Sequence, residues 1–203
     1  MKVTPTKLPS VLVIEPDAFG DARGWFLETF SSKRYEQALG FAERRAGIEL
    51  SFVQDNISFS AKNILRGIHF QYPHSQGKLV QVISGEVFDV AVDIRLGSPT
   101  FGQWVGENLS ALNHKQIYIP PGFAHGFCVL SDTALFSYKC TDYYSPAAEG
   151  GIIWNDPDLG IGWPVPTPIV SGRDAGFPRL KDVPKDKLPV LSEVEGPKYK
   201  EGR

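Results

Sequence analysis

Residues 86–95 read Glu-Val-Phe-Asp-Val-Ala-Val-Asp-Ile-Arg, and this stretch decides the fold class. Alternate residues of a β-strand share a face. One face is apolar from Phe88 to Ile94, whereas the other places two carboxylates, Asp89 and Asp93, among small apolar residues. A strand of a small barrel has this pattern when its inner face meets a polar cavity. The alternative is a half-exposed strand whose two carboxylates lie in water.

Short strands continue on both sides of this stretch. Turn residues bound ten segments that are rich in Val, Ile, Phe and Tyr, and these are predicted strands: 11–14, 25–30, 52–59, 64–70, 78–84, 86–94, 101–109, 116–119, 126–130 and 134–141. One helix is predicted over residues 33–39, with Ser31 or Ser32 as its N-cap and Gly40 near its C-terminal stop. Many short strands at near-regular spacing are typical of an all-β sandwich or barrel.

Length and composition indicate one globular unit. The chain has 203 residues, of which 42% are hydrophobic and 22% are charged, so it fits one large domain or at most two. From about Lys181 the sequence becomes charged and is interrupted by prolines. We therefore predict a single domain over residues 1–180, followed by an arm or tail over residues 181–203. The net charge of -2 argues against a general nucleic-acid-binding surface.

The expected compartment is the cytoplasm. No apolar run approaches the ~18 residues of a membrane span, and the first residues lack the apolar middle of a signal peptide. Cys128 and Cys140 lie in apolar segments, so we expect both thiols to be buried and reduced. The sequence thus predicts a cytoplasmic protein without a membrane partner.

Residues 64–78 concentrate the chemistry. They contain Arg66-Gly-Ile-His69-Phe-Gln and then Gln76-Gly-Lys78. Histidine suits proton transfer near neutral pH, an arginine fork suits phosphate or carboxylate oxygens, and a lysine suits a developing oxyanion. A base, an anion clamp and an electrophile so close together predict proton abstraction beside a carbonyl. The alternative for His69 is a structural histidine in an apolar strand.

His125 raises the possibility of a metal site. It follows Pro-Pro-Gly-Phe-Ala, which resembles the Pro-x-Gly-x-x-His element of cupin barrels. Metal-binding cupins also need a His-x-His pair and a downstream Glu. Here the pair reads His69-Phe-Gln71, and Lys78 stands where the acidic ligand is expected. An ammonium group would repel a divalent cation at low dielectric. We therefore predict neither a metal nor another cofactor.

Other catalytic classes lack their motifs. The chain has no glycine-rich phosphate loop and no Gly-x-Ser-x-Gly elbow, which disfavours a dinucleotide enzyme, an NTPase and a serine hydrolase.

Tyr138 is either a core tyrosine or an acid that returns a proton to an enolate. Asp174 is either a loop aspartate or the carboxylate that orients a histidine.

Six ordered motifs resemble the dTDP-4-dehydrorhamnose 3,5-epimerase family. They begin at Arg66, Gln76, Gly85, Ile119, Tyr143 and Ile153, and read Arg-Gly-Ile-His-Phe-Gln, Gln-Gly-Lys-Leu-Val, Gly-Glu-Val-Phe-Asp-Val-Ala-Val-Asp-Ile-Arg, Ile-Pro-Pro-Gly-Phe-Ala-His-Gly-Phe, Tyr-Tyr-Ser-Pro and Ile-Trp-Asn-Asp-Pro. The resemblance covers roughly residues 12–178 and implies a homodimeric cupin jelly roll without a metal. It also implies a dTDP-4-keto-6-deoxy sugar substrate that is inverted at C3 and C5, beside the C4 ketone.

The resemblance assigns catalytic roles to four residues. His69 would be the base and Asp174 its partner. Tyr138 would be the acid on the opposite face, and Lys78 would stabilise the enolate oxygen. Regular strand alternation would put Arg66 and His69 on opposite faces. Because the resemblance sends both toward the ligand, we predict an irregularity near Gly67 or an Arg66 that reaches in from a strand end.

The resemblance also implies a substrate-binding set. Tyr144 would stack on thymine, and Arg173 stands where the family often has lysine. Four residues near the N-terminus would reach the nucleotide across the dimer: Phe19, Arg23, Phe26 and Glu28. The other expected contacts are Gln54, Asn56, Arg66, His125 and Glu149. The loop over residues 72–76 is one residue shorter than in some relatives.

Three rival functions remain at this point. A 3- or 5-monoepimerase of secondary-metabolite sugar synthesis would share every one of these residues. A metal-dependent cupin oxygenase is disfavoured by the missing ligands. A non-catalytic sugar-nucleotide sensor is disfavoured because binding alone would not need His69, Lys78, Tyr138 and Asp174 together.

Overall fold

Two facing β-sheets form the framework of the computed structural model, which describes residues 1–39 and 51–194. The strands are β1 (Lys2–Pro5), β2 (Leu12–Glu15), β3 (Ala18–Asp21), β4 (Gly24–Leu27), β5 (Gln54–Ala61), β6 (Ile64–Gln71), β7 (Lys78–Ser84), β8 (Glu86–Asp93), β9 (Trp104–Ser110), β10 (Gln116–Ile119), β11 (Phe123–Val129), β12 (Thr133–Cys140), β13 (Glu149–Gly151) and β14 (Ile169–Val170). The helices are α1 (Ser32–Ala38) and α2 (Gly172–Ala175), with 3₁₀ turns at Pro146–Ala148, Leu180–Asp182, Lys185–Lys187 and Leu191–Glu193.

From β5 to β13, consecutive strands lie in different sheets, as in a jelly roll, except that β8 pairs with β9 in one sheet. The first sheet has the antiparallel order β1-β2-β10-β7-β12-β5. The second has the antiparallel order β13-β6-β11-β8-β9, and β14 joins β6 in parallel. The chain crosses from β6 to β7, from β7 to β8 and from β11 to β12, so each crossing changes sheet. The predicted all-β cupin jelly roll with a few short helices is confirmed.

The core fills the space between the two sheets. Phe127 on β11 stacks on Phe136 on β12 with ring centroids 4.0 Å apart, so the two sheets meet there. Each fully buried aliphatic or aromatic side chain of this core contributes about 1.5–3 kcal/mol by leaving water. Two residues after Phe136, Tyr138 packs against the core and also lines a polar cavity. The core therefore forms the floor of that cavity.

The two carboxylates of β8 are buried. Asp89 and Asp93 are both 0% exposed, so the half-exposed strand is wrong and the barrel interpretation holds. Asp93 accepts hydrogen bonds from the side chains of Arg95, Ser98 and Thr100. Asp89 instead pairs with His125. Each buried carboxylate thus has at least one polar side-chain partner, as burial of a polar group requires.

The apolar face of β8 is covered from the C-terminal side. Leu180, Val183 and Leu188 are buried in one cluster with Val90 and Val92. The main chain also holds this segment, because Leu96 N–H donates to Pro189 O at 2.7 Å and Leu191 N–H donates to Leu96 O at 3.0 Å. Within residues 1–39 and 51–194, no helix is long and apolar enough to cross a membrane.

Most predicted strands form, with shifted ends. The bounds of 78–84 and 116–119 match β7 and β10, while 101–109 begins later, at Trp104, and 25–30 ends earlier, at Leu27. Prediction missed the short strands β1, β3, β13 and β14, and also helix α2. Helix α1 forms after Ser31, although that side chain makes no capping bond, and Gly40 lies outside the described residues. Both cysteines are buried and unpaired, as expected.

Candidate active site

A polar cleft opens between the two sheets. It consists of two adjoining cavities of about 300 Å³ and about 260 Å³. Five residues line both of them: His69, Lys78, Tyr138, Tyr144 and Glu149. The first cavity also touches Gln54, Asn56, Phe70, Gln71 and Gln76, and the second touches Ser58, Arg66, His125, Phe127, Phe136 and Arg173.

An irregularity in β6 lets two residues of that strand, three positions apart, both reach the cleft. Gly67 has φ +128°, and the pairing of β6 with β11 shifts register beside it. A side chain at Gly67 would place Cβ 2.6 Å from Gly126 Cα, so glycine is needed for this close approach. Arg66 and His69 both line the second cavity as a result. The predicted irregularity near Gly67 is confirmed.

His69 and Asp174 form a hydrogen-bonded pair. His69 Nε2 lies 2.9 Å from Asp174 Oδ1, and the carboxylate is almost completely buried. Asp174 Oδ2 accepts a second bond, at 3.0 Å, from the main-chain N–H of Gly67. Ser171 begins the short helix α2 and accepts a hydrogen bond from Asp174 N at 3.1 Å. Helix α2 and the β6 irregularity thus fix this carboxylate from both sides.

This environment leaves His69 ready to accept a proton. Burial lowers the pKa of His69, and the hydrogen bond and charge of Asp174 only partly oppose that effect. Burial disfavours ionisation of Asp174, but its hydrogen bonds from Gly67 and His69 outweigh burial and lower its pKa. The imidazole is therefore neutral near pH 7. With its Nε2 proton held by Asp174, its Nδ1 is the basic nitrogen.

Lys78 and Tyr138 stand on the opposite wall. They come from the paired strands β7 and β12 of the first sheet, and Lys78 Nζ lies 5.9 Å from the centre of the Tyr138 ring. Burial raises the pKa of Tyr138, so its phenol stays protonated at neutral pH. Burial lowers the pKa of Lys78, while the charges of Cys140, Asp89 and Glu149 oppose that decrease. A base on one wall thus faces an acid and a cation on the other.

Polar side chains connect the mouth of the cleft. Tyr144 donates from its hydroxyl to Glu149 Oε2 and from its main chain to Gln54 Oε1, both at 2.8 Å. Gln54 Nε2 in turn donates a hydrogen bond to Asn56 Oδ1 at 3.0 Å. Arg173 donates to the same Glu149 oxygen at 2.8 Å, and its Nη2 lies 3.4 Å from His69 Nε2. The mouth therefore offers an aromatic ring, two amides and an arginine beside the base.

His125 closes the inner end of the cleft. It is buried, with Nε2 2.8 Å from Asp89 Oδ2. Among the described residues, Asp89 Oδ1 and Ser58 Oγ are the buried side-chain oxygens or nitrogens without a hydrogen-bond partner. Residues 1–39 and 51–194 hold no group of three or more His, Cys, Asp or Glu arranged for a metal ion.

The structure gathers most of the sequence-predicted site. His69, Lys78, Tyr138, Asp174 and the expected cleft contacts come together in one chain: Gln54, Asn56, Arg66, His125, Tyr144, Glu149 and Arg173. Sequence reasoning missed Ser58 and Gln71. Strand alternation could have found both, because Ser58 shares a face with Asn56, and Gln71 shares a face with His69.

Four predicted residues lie away from this cleft. Phe19, Arg23 and Phe26 belong to the separate two-stranded hairpin of β3 and β4, and Glu28 follows it. Phe19 is 65% exposed and Phe26 is 71% exposed, which leaves their aromatic faces open. Arg23 pairs with Asp21 within the hairpin.

Comparison with known proteins places the whole barrel in one family. A sequence profile of the dTDP-4-dehydrorhamnose 3,5-epimerase family matches residues 5–182. The chain is 52% identical over 183 residues to the dTDP-4-dehydrorhamnose 3,5-epimerase of Shigella flexneri. The aligned region covers 90% of this chain and 97% of that protein. It is 40% identical over 175 residues to the dTDP-4-dehydrorhamnose 3-epimerase of Streptomyces niveus, with coverage of 86% and 81%.

A solved structure shares the architecture. The dTDP-6-deoxy-D-glucose-3,5-epimerase of Legionella pneumophila Philadelphia 1, in complex with dTDP-4-keto-L-rhamnose, superimposes with a TM-score of 0.88 at 52% identity. The match covers 93% of this chain and 97% of that one.

Proposed function

This chain belongs to the dTDP-4-dehydrorhamnose 3,5-epimerase family and is an isomerase, and we propose on that premise that it inverts C3 and C5 of dTDP-4-dehydro-6-deoxy-D-glucose to give dTDP-4-dehydro-L-rhamnose. The observation that carries the proposal is the hydrogen-bonded pair of His69 and Asp174 on one wall of the cleft, with Lys78 and Tyr138 on the other. Proton removal on one face and proton delivery on the other is what inversion of a carbon next to a ketone requires.

The reaction begins with proton abstraction by His69. The C4 ketone acidifies the hydrogens on C3 and C5, because the resulting carbanion delocalises onto the ketone oxygen. His69 Nδ1 takes the proton, and Asp174 stabilises the imidazolium through Nε2. The ammonium of Lys78 stabilises the negative charge that develops on O4. Because C3 and C5 flank the same ketone, one base can serve both carbons in turn.

Tyr138 completes each inversion. Its phenol stays protonated at neutral pH and so acts as an acid toward the enolate. It belongs to the sheet opposite that of His69, so the proton arrives on the other face of the sugar ring. Every proton in this cycle moves between the substrate and a side chain of this protein. No metal or organic cofactor enters the proposed steps.

Nucleotide binding falls to the mouth of the cleft. Tyr144 is half exposed and offers a ring face on which thymine stacks. Arg66 and Arg173 supply guanidinium groups for the diphosphate oxygens, for which their forked geometry suits them. Gln54 and Asn56 supply amides for the nucleotide, Glu149 accepts from a hydroxyl group of the substrate, and His125 contacts the sugar from the inner end.

A second subunit would complete the site. The exposed aromatic rings of Phe19 and Phe26 form an apolar patch that a partner would cover. In a homodimer, Arg23 and Glu28 of one subunit would join them at the neighbour's nucleotide. Two buried, unpaired cysteines fit a reducing compartment, so the cytoplasm is the proposed location.

Proton NMR of the substrate in deuterated water tests the proposal. The expected result is deuterium at both C3 and C5 and inversion at both carbons. Exchange with inversion at one carbon alone would instead assign the chain to the monoepimerases. The Streptomyces niveus relative is named as one of these, a 3-epimerase. Binding without any exchange would mean a sugar-nucleotide sensor, and oxygen consumption would mean an oxygenase.

A further inference from the structure

The cleft contains a buried amide, Gln71, which has no role in the proposed mechanism. It lies on β6, two residues after His69, and lines the same cavity as His69 and Tyr144. Only 6% of its surface is exposed. An amide buried to this degree is normally retained for the hydrogen bonds that it makes.

The Gln71 side chain binds the main chain of two loops. Its Nε2 donates to His74 O at 2.5 Å and to Tyr143 O at 3.1 Å, and its Oε1 accepts from Ser145 N at 2.8 Å. Both amide hydrogens and the oxygen are therefore used on backbone groups. Two of these groups belong to the residues immediately before and after Tyr144.

Tyr144 depends on these contacts for its position. Its own main-chain N–H donates to Gln54 Oε1, so two glutamine side chains hold three consecutive residues. Tyr144 is 50% exposed, and its hydroxyl donates to Glu149. Since little packing surrounds the ring, the backbone on either side sets where it lies. A loop fixed in advance loses less entropy when a ligand binds.

We propose that Gln71 is the positioning residue that presets Tyr144 for the nucleotide base, so that it determines nucleotide affinity and not the rate of proton transfer. This inference rests on the proposed stacking of thymine on Tyr144. Gln71 has no hydrogen bond to His69, Lys78 or Tyr138, so the proton-transfer groups keep their contacts when it is replaced.

Gln71→Met tests this division of labour. Methionine has a similar length and volume but cannot make the three hydrogen bonds. We expect dTDP to bind at least about tenfold more weakly by calorimetry, since lost buried hydrogen bonds have effects of this order. KM for the keto sugar should rise in parallel, whereas kcat at saturation should stay within about threefold. A fall in kcat with unchanged KM would overturn the proposal.

A double-mutant cycle separates positioning from general destabilisation. If Gln71 acts through Tyr144, adding Gln71→Met to Tyr144→Ala should change dTDP affinity by less than about twofold. Equal losses in both backgrounds would overturn the proposal. Unchanged dTDP affinity in Tyr144→Ala itself would refute the stacking on which the inference rests, and would do so without reference to Gln71.

Two further variants guard against misfolding. Asn113→Ala is a matched control, because the Asn113 side chain also binds three main-chain groups but lies outside the cleft. It should leave dTDP affinity unchanged. Gln71→Glu keeps the size but turns an oxygen toward the carbonyls of His74 and Tyr143, so it should weaken dTDP binding at least as much as Gln71→Met. Wild-type affinity in a folded Gln71→Glu protein would overturn the proposal.

Discussion

Asp174 and Gly67 are joined by a hydrogen bond of 3.0 Å, although 107 positions separate them in the sequence. The carboxylate that pairs with His69 therefore also holds the irregularity that turns His69 into the cleft. One side chain from α2 links the geometry of strand β6 to the proposed base. A substitution at Gly67 or at Asp174 should therefore also disturb the position of the other residue.

Gly67→Ala should destabilise the whole protein. The new Cβ would lie 2.6 Å from Gly126 Cα, at a backbone φ of +128° that side chains rarely adopt. We expect the free energy of unfolding to fall by about 2 kcal/mol or more, as measured by urea denaturation. Gly162→Ala is the control, because its Cβ would meet only Trp104 at 4.0 Å. Equal stabilities of the two variants would contradict the need for glycine at position 67.

His69→Asn should abolish deuterium exchange at both C3 and C5. We assign both proton abstractions to His69, because the other cleft histidine, His125, is buried at the inner end. Removal of a general base typically costs about 10²–10⁴-fold in rate. NMR in deuterated water measures both carbons in one experiment. Exchange that continued at one carbon near the wild-type rate would falsify the single-base mechanism.

Tyr138→Phe should separate exchange from inversion. His69 and Lys78 still form the enolate in this variant, but no phenol returns the proton to the opposite face. We expect deuterium to enter the original configuration faster than the epimer accumulates. The ratio of the two rates by NMR is the measurement. If both rates fell by the same factor, Tyr138 would be a packing or binding residue.

Asp174→Asn should move the acidic side of the pH profile. Activity is lost as pH falls through the pKa of His69, because the imidazolium cannot accept a proton. Burial already lowers that pKa, and Asp174 partly opposes the decrease. Without the carboxylate the pKa falls further, so the acidic limb of kcat/KM shifts to lower pH. The plateau should drop by about tenfold or more, because the imidazolium loses its partner. A limb that moved to higher pH would contradict this assignment.

Arg23→Ala should weaken dTDP binding if the hairpin completes the neighbour's site. We expect a loss of about 1.5–3 kcal/mol by calorimetry, the range for a hydrogen bond to a charged group. Mixing an Arg23→Ala, Glu28→Ala subunit with a His69→Ala subunit sharpens the test. Shared sites give heterodimers one intact site and restore activity that neither homodimer has. No recovery in proven heterodimers would mean that each site is built from a single chain.

The barrel was accessible from sequence because its strands carry their own pattern. The alternation of carboxylates and valines in β8 favoured an inner polar face over a half-exposed strand only by its pattern, and the structure buries Asp89 and Asp93. Strands β13 and β14 have three and two residues, too few for any periodicity to show. They form because β6 offers them partners, which is information held elsewhere in the chain.

The site was accessible in part. His69 and Lys78 stand in one short segment, so residue types alone suggested their chemistry. Asp174 reaches His69 from 105 positions away, out of a four-residue helix without a core face. Only resemblance to a family singled it out. The irregularity at Gly67 followed from combining both sources, since alternation and the resemblance demanded different orientations for Arg66 and His69.

The segment behind β8 sets a lower limit on the length of this chain. Leu180, Val183 and Leu188 seal the apolar strip that contains Val90 and Val92. A protease cut or stop codon near residue 179 would leave the cleft residues in place but strip this seal from the second sheet. The exposed apolar strip would favour aggregation of the protein. Loss of the catalyst would then come through precipitation, with every reacting group still in the chain.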